Sequence, residues 1–176
     1  AEQSVLITYL DTAAAVVAYA EALGVRHVQL HAPIARDEVR ALRRESSLRL
    51  SKSIIVTGSG AAAAATLASE IHEYAPFVDS FIVDSYDPAT GARGATGRTH
   101  DWSVTRRLVE VSSKPVLLAG GLTPHNVQSA ILAVGPAGVD VHTGVEGESG
   151  RKDREKVRAF VQSVRSATER LVTSSP

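Results

Sequence analysis

The sequence predicts an α/β protein whose parallel strands alternate with crossover helices. Short β-branched runs recur from one end of the chain to the other, and each is followed by a segment whose apolar residues repeat at helical spacing. Connectors of helix length suit parallel pairing, because antiparallel neighbours can be joined by a short hairpin whereas parallel ones need a crossover.

Taken in order, the first strand is expected over Val5–Leu10, and its helix closes at Gly24, where a C-terminal glycine adopts left-handed backbone. The second strand spans His27–His31 and the third Leu50–Val56. After the third comes an alanine run, Ala61–Ala65, which reads as a helix start because alanine is the best helix former. The fourth strand, Val78–Asp84, runs into the longest irregular stretch, Ser85–His100, which contains Pro88, Gly91, Gly94 and Gly97. Long loops in compact domains are commonly functional. Asp101 is placed to cap a helix that begins near Trp102 and carries Val104, Leu108 and Val111 on one face. The fifth strand, Pro115–Ala119, is followed by Thr123 and Pro124, an N-cap with proline in the first helical position. The sixth, Val139–His142, leads to a last helix with Val157, Phe160, Val161, Val164 and Leu171 on its apolar face. No linker divides the chain, so residues 1–176 read as a single domain.

Composition narrows the function classes. The chain has 44% hydrophobic residues, enough for one core, and 19 basic against 19 acidic side chains give no net charge to gather nucleic acid or anionic lipid. No apolar run approaches the roughly 20 residues that span a bilayer, and no basic-then-apolar leader opens the chain, so the expected location is cytoplasmic. Without cysteine there is no disulfide, thiolate ligand or thiol base. There is no methionine either, which fits a removed initiator or a chain that begins inside a longer reading frame. None of the histidines has a ligand spacing such as His-x-x-x-His, and His72, His100 and His125 read as solvated helix or loop residues. Neither a metal nor another cofactor is expected.

In parallel α/β folds ligands bind at the carboxyl ends of the strands. The residues there are Asp11, His31, Thr57 with Gly58, Asp84, Gly120 with Gly121, and Thr143 with Gly144. Gly120 and Gly121 precede a helix start, and Thr143, Gly144, Val145 and Glu146 repeat the arrangement after the next strand. Glycine lets backbone approach a ligand closely, and free N–H groups at a helix start suit a phosphate dianion. An open flavodoxin-like sheet would instead place its phosphate loop after the first strand, where Leu10-Asp11-Thr12 has no glycine.

The segments Gly94-Ala-Thr-Gly-Arg-Thr-His-Asp-Trp102, Leu118-Ala-Gly-Gly-Leu-Thr-Pro-His-Asn-Val127 and Gly138-Val-Asp-Val-His-Thr-Gly-Val-Glu146 resemble three consecutive motifs of phosphoribosylanthranilate isomerase. Val28-Gln-Leu-His31, Lys52 and Val83-Asp84-Ser85 resemble its preceding strands. The resemblance implies a (β/α) TIM-barrel type fold, here incomplete, with six βα units matching the third to the eighth of a complete barrel. It also implies an Amadori rearrangement of a phosphoribosyl aminoaldose to an aminoketose in tryptophan biosynthesis, in which an acid protonates the ribose ring oxygen while a base takes the C2 proton.

On that resemblance Asp84 is the acid, its carboxyl expected to hold a proton near neutrality at an apolar barrel mouth. Gly120, Gly121, Gly144 and Val145 bind the phosphate, while Asp140, Glu146 and Lys52 are further substrate contacts. His31 is the residue that could replace the family's cysteine base, which ends a strand this chain does not show. Ala95, His100 and the pair His142-Thr143 depart from the family pattern. Two readings follow: an isomerase of this type acting on an anthranilate-sugar phosphate, or a barrel remnant that binds a phosphorylated metabolite or a protein. Six strands leave two unprotected edges, so self-association or uptake of a missing N-terminal segment is expected.

Overall fold

The computed structural model describes residues 4–86, 97 and 99–173. Within them six strands, β1 (Val5–Thr8), β2 (His27–Leu30), β3 (Arg49–Val56), β4 (Ser80–Ser85), β5 (Val116–Leu118) and β6 (Gly138–Val139), form one sheet. Between and after them run the helices α1 (Ala13–Leu23), α2 (Arg36–Glu45), α3 (Gly60–Tyr74), α4 (Trp102–Val111), α5 (Val127–Val134) and α6 (Arg154–Thr173). None of these helices is long and apolar enough to cross a membrane. Pro88, Gly91, Gly94 and Ala95 lie outside the described residues.

Every neighbouring pair of strands is parallel, and the order in the sheet follows the order in the chain, β1 to β6. With right-handed crossovers, strictly sequential order puts every helix on the same face, whereas a doubly wound sheet reverses its order and has helices on both. The helices accordingly touch in succession, α1 on α2 through α5 on α6. This is the wall of a (β/α) barrel, and the flavodoxin-like alternative is set aside.

The helix-facing side of the sheet is mainly apolar. Val28, Leu30, Leu50, Ile54, Phe81 and Val83 are buried against Val16, Val39, Leu42, Ile71, Val104 and Leu108 of the helices. The inner side is polar across β2 to β4. His27 Nε2 lies 2.8 Å from Ser51 Oγ, Ser51 Oγ lies 2.7 Å from Ser80 Oγ, and Gln29 Nε2 donates to Ser53 Oγ at 3.0 Å. Closed barrels fill this space mainly with branched apolar side chains. Here the buried polar groups satisfy one another across the strands, while on β1 and just beyond it Val5, Ile7 and Tyr9 are 42%, 55% and 69% exposed.

Several boundaries differ from the sequence reading, each for a local reason. β1 stops at Thr8 because its one neighbour stops at Leu30, and the Thr8 hydroxyl then accepts from the Leu10 N–H at 3.1 Å. β6 is only Gly138–Val139: it too has a single neighbour, and after Asp140 donates to the Leu118 carbonyl at 2.9 Å the chain turns away at His142 (φ −116°, ψ −83°). Gly24 (φ 65°) closes α1 as expected. Asp101 caps α4 by accepting from the Ser103 N–H at 3.0 Å, and its other oxygen takes the Gly60 N–H at the start of α3, also at 3.0 Å.

α5 begins at Val127 rather than directly after Pro124. Thr123 still acts as a cap for the preceding turn: its hydroxyl accepts from His125 N–H, and the Asn126 side chain reaches back to accept the Thr123 N–H at 2.8 Å. Of the apolar face read for α6, Phe160 is buried but Val157, Val161 and Leu171 are exposed. This helix ends the row and packs against α5 on one flank.

Candidate active site

The carboxyl ends of β4, β5 and β6 surround one cleft, lined by Asp84, Gly120, Gly121, Asp140, His142 and Thr143 among others. Asp84 is the penultimate residue of β4, in register with Ile55 of β3, and its carboxylate accepts the N–H of Ser85 at 2.7 Å. Only 7% of it is exposed. The strand that ends here, Ser80–Ser85, is buried at every position, so little but its last residues can reach a ligand.

The two glycine loops meet beside it. Gly120 and Gly121 take φ values of 82° and 60°, a left-handed pair that L side chains rarely adopt. A β-carbon on Gly120 would sit 2.0 Å from Ser85 Oγ, so this loop lies flush on the end of β4. Asn126 holds it from the far side by donating to the Gly121 carbonyl at 3.0 Å. The second loop is a 3₁₀ turn over Thr143–Val145, and a β-carbon on Gly144 would fall 1.8 Å from the Leu122 carbonyl oxygen. The loops are therefore in backbone contact. Among the described residues no hydrogen bond engages the N–H of Gly120 or Gly121. Free backbone N–H groups at a helix start suit an anion, phosphate above all.

This arrangement coincides with a sequence match: a family model of N-(5'phosphoribosyl)anthranilate (PRA) isomerase covers residues 7–163. The chain belongs to this family. It is 41% identical over 161 residues to N-(5'-phosphoribosyl)anthranilate isomerase 2 of Methanosarcina mazei, covering 89% of this chain and 67% of that protein. With the Haloferax volcanii isomerase it shares 41% over 150 residues, 84% of this chain and 62% of the relative. The isomerase structure from Pyrococcus furiosus superposes with a TM-score of 0.76 at 28% identity, over 92% of this chain and 73% of that one. The Thermococcus kodakaraensis structure gives 0.72 at 32% identity, over 91% and 73%. The chain thus spans about two thirds of the length of its curated isomerase relatives, between 62% and 67% for these two.

The other residues read as isomerase contacts are not all brought to the cleft. Asp140 is. Burial among protein atoms raises its carboxyl above the usual range, and the charges of His142 and Lys152 oppose that. The side chain keeps an exposed flank, which moderates the penalty. His142, expected to share a strand face with Asp140, instead turns toward Glu146, its Nδ1 3.4 Å from that carboxylate.

Glu146 is committed elsewhere: its carboxylate takes Lys152 Nζ at 2.7 Å, and that hydrogen bond holds it below the usual carboxylate range. Lys52 does not line this cleft. Its register partners are Leu30 and Phe81, so it lies on the helix-facing side. There its amine donates to the Ser53 carbonyl at 2.9 Å, lies 4.0 Å from Glu70 and sits 5.5 Å from the Tyr74 ring centre. A strand residue one step out of phase with the inner face is placed beside α3, and Lys52 shares a small pocket with His31, Ser53 and Glu70.

His31 is buried at the end of the second strand unit, its ring edge-on to Tyr9 at 5.1 Å. Ser53 Oγ accepts from Gln29 Nε2, so its own proton is available to His31 Nδ1 at 3.0 Å. In the neutral ring the proton then resides on Nε2. His100 is a correction: it is not solvated but wedged between Ser85 Oγ (3.1 Å) and Thr105 Oγ1 (2.5 Å). Burial outweighs the nearby Asp101 charge and lowers its pKa to about 4, so it is neutral at neutral pH. Ser85, Asn126 and Lys152 carried no role in the sequence reading; Ser85 and Asn126 fall inside the motifs, whereas Lys152 lies outside them.

Proposed function

We propose that this chain supplies the phosphate-binding and general-acid part of a phosphoribosylanthranilate isomerase site, acting on an anthranilate-sugar phosphate in the Amadori rearrangement. The observation that carries the proposal is that Asp84, the glycine pair Gly120 and Gly121, and Thr143 at the start of the second loop line one cleft, with Gly144 packed on the backbone of Leu122 beside it. The phosphate would be held by the N–H groups of Gly120, Gly121, Gly144 and Val145, which fixes the sugar ring against the Asp84 carboxyl. Asp84 then delivers a proton to the ring oxygen as the C1–O bond opens, and Asp140 orders the cleft between acid and phosphate.

His31 with its proton on Nε2 serves as a donor that orients the substrate, rather than as the base. The base is proposed to come from further strand–helix units, in the same reading frame or on another polypeptide, that pair with the edges of β1 and β6. The length of the relatives and the exposed Val5, Ile7 and Tyr9 support this.

The test is turnover of phosphoribosylanthranilate by the purified chain, alone and mixed with a separately expressed two-unit segment that ends its first strand in cysteine. Loss of a positioned base removes about 10²–10⁴-fold in rate, so little turnover is expected from the chain alone, with recovery on mixing. Asp84→Asn should abolish the recovered activity. Recovered turnover that survives Asp84→Asn would contradict the assignment.

A further inference from the structure

The turn that follows β6 has its two sides treated differently by the rest of the chain. Its carbonyl side is taken up almost completely by the segment Glu146–Lys156. Lys152 Nζ donates to the His142 carbonyl at 2.7 Å, Glu146 N–H to the Thr143 carbonyl at 3.0 Å, Asp153 N–H to the Val145 carbonyl at 2.8 Å, and Lys156 Nζ to the Glu146 carbonyl at 2.6 Å. In a helical turn the carbonyls point one way and the N–H groups the other. While the carbonyls are held by this strap, Gly144 lies against Leu122 of the first glycine loop, and among the described residues no hydrogen bond engages the N–H groups of Gly144 or Val145.

The strap is itself braced. Glu146 and Lys152 form an antiparallel bridge, the Gly147 N–H donates to the Arg151 carbonyl at 2.9 Å, and Asp153 starts α6 by accepting the Lys156 N–H at 2.9 Å. Lys152 also engages the Glu146 carboxylate, so one ammonium joins both ends of the turn.

We propose that Lys152 and Lys156 are positioning residues for phosphate: by holding the carbonyls at the two ends of the 3₁₀ turn they aim its N–H groups into the cleft. The inference rests on the reading that the glycine loops take the phosphate, and it adds which side chains make the second loop a receptor. Neither ammonium need touch the ligand.

The experiment is titration of ¹⁵N-labelled wild type, Lys152→Met, Lys156→Met and Lys152→Arg with inorganic phosphate, following the amides of Gly120, Gly121, Gly144 and Val145 at low and high salt. Lys152 and Lys156 are partly exposed, so the variants fold; their backbone spectra check this. Charge-assisted bonds carry enough energy that each Met variant should bind phosphate about tenfold more weakly. The loss should persist at high salt. In the free protein the Gly144 and Val145 amides should already be displaced, while Gly120 and Gly121 stay in place, and Lys152→Arg should recover at least half of the lost affinity in logarithmic terms.

A weakening that disappears at high salt, with Gly144 unmoved in the free variants, would mean that the lysines act only as distant charges and would overturn the inference. So would wild-type affinity in both Met variants. If the wild-type Gly120 and Gly121 amides do not respond to phosphate at all, the phosphate reading itself fails, and this inference with it.

Discussion

Replacing Gly144 with alanine tests the contact between the two glycine loops, and its cost can be worked from the geometry. The added β-carbon would lie 1.8 Å from the Leu122 carbonyl oxygen, 2.9 Å from its carbon and 3.2 Å from Thr123 Cα. All three are backbone atoms, so no side-chain rotation relieves the clash. Restoring an ordinary carbon–oxygen separation requires the loops to part by roughly 1.5 Å. Leu122 is 2% exposed and packs in the core with Val127, Val145 and Phe160, so its backbone cannot move without opening that cluster.

Overpacking costs about 1–3 kcal/mol, and an immovable obstacle puts this case at about 3. Gly135→Ala is the control. Unlike Gly144 it sits at positive φ, 65°, but its β-carbon would meet nothing within 4 Å, leaving only the backbone penalty of about 1 kcal/mol. Urea unfolding of both variants, with phosphate affinity measured by calorimetry, separates the two effects. Gly144→Ala should lose about 2 kcal/mol more stability than Gly135→Ala, together with most of its phosphate affinity. Equal stability losses with phosphate binding intact in both would refute the claim that the loops are in backbone contact.

Asp101→Ala removes one cap shared by two helices, since its oxygens take the N–H groups of both Ser103 and Gly60, and should cost about 1–2 kcal/mol in urea unfolding, with Asp101→Asn recovering part of it. Asp79 gives a pH signature. Burial would raise its carboxyl, but hydrogen bonds from Arg43 and the Leu50 N–H outweigh that and hold it below the usual range. A folded-state pKa below the unfolded one contributes stability that is present above about pH 4 and lost as pH falls through the lower folded value. Asp79→Asn should therefore flatten the acid limb of the stability curve, measured by thermal melts between about pH 2 and 6. The exposed Val5, Ile7 and Tyr9 beside the β1 edge predict concentration-dependent self-association in sedimentation velocity, suppressed by Ile7→Lys; a monodisperse monomer at micromolar concentration would count against it.

Most of the fold was legible because it is written in period and punctuation. Six β-branched runs separated by helical faces gave the parallel sheet, and Gly24 and Asp101 ended and began their helices as their chemistry requires. What escaped was decided by neighbours rather than by local sequence. β6 reads as four residues from Val139 to His142 but pairs over two, because a strand at a sheet edge has one partner to extend it. The exposed flank of α6 has the same origin.

At the site, the positions of the glycine loops and of Asp84 were legible, since strand ends and glycine pairs announce themselves. Lys52 was named on the resemblance alone, and its face could not be read because the strand's inner and outer sides are both buried here, Ser51 and Ser53 on one side and Leu50 and Lys52 on the other. His100 looked like a loop residue; only the fold reveals Ser85 and Thr105 on either side of its ring. Lys152 lies outside every motif, and its role depends on a strap that folds back across ten residues of sequence to reach the His142 carbonyl.

Whether the loops after β5 and β6 form one phosphate receptor beside Asp84 is decided by a crystal structure with ribose 5-phosphate. The phosphate oxygens are expected about 3 Å from the backbone nitrogens of Gly120, Gly121, Gly144 and Val145, with the sugar ring directed toward the Asp84 carboxyl. A phosphate bound elsewhere, or an empty cleft at saturating ligand, would contradict it.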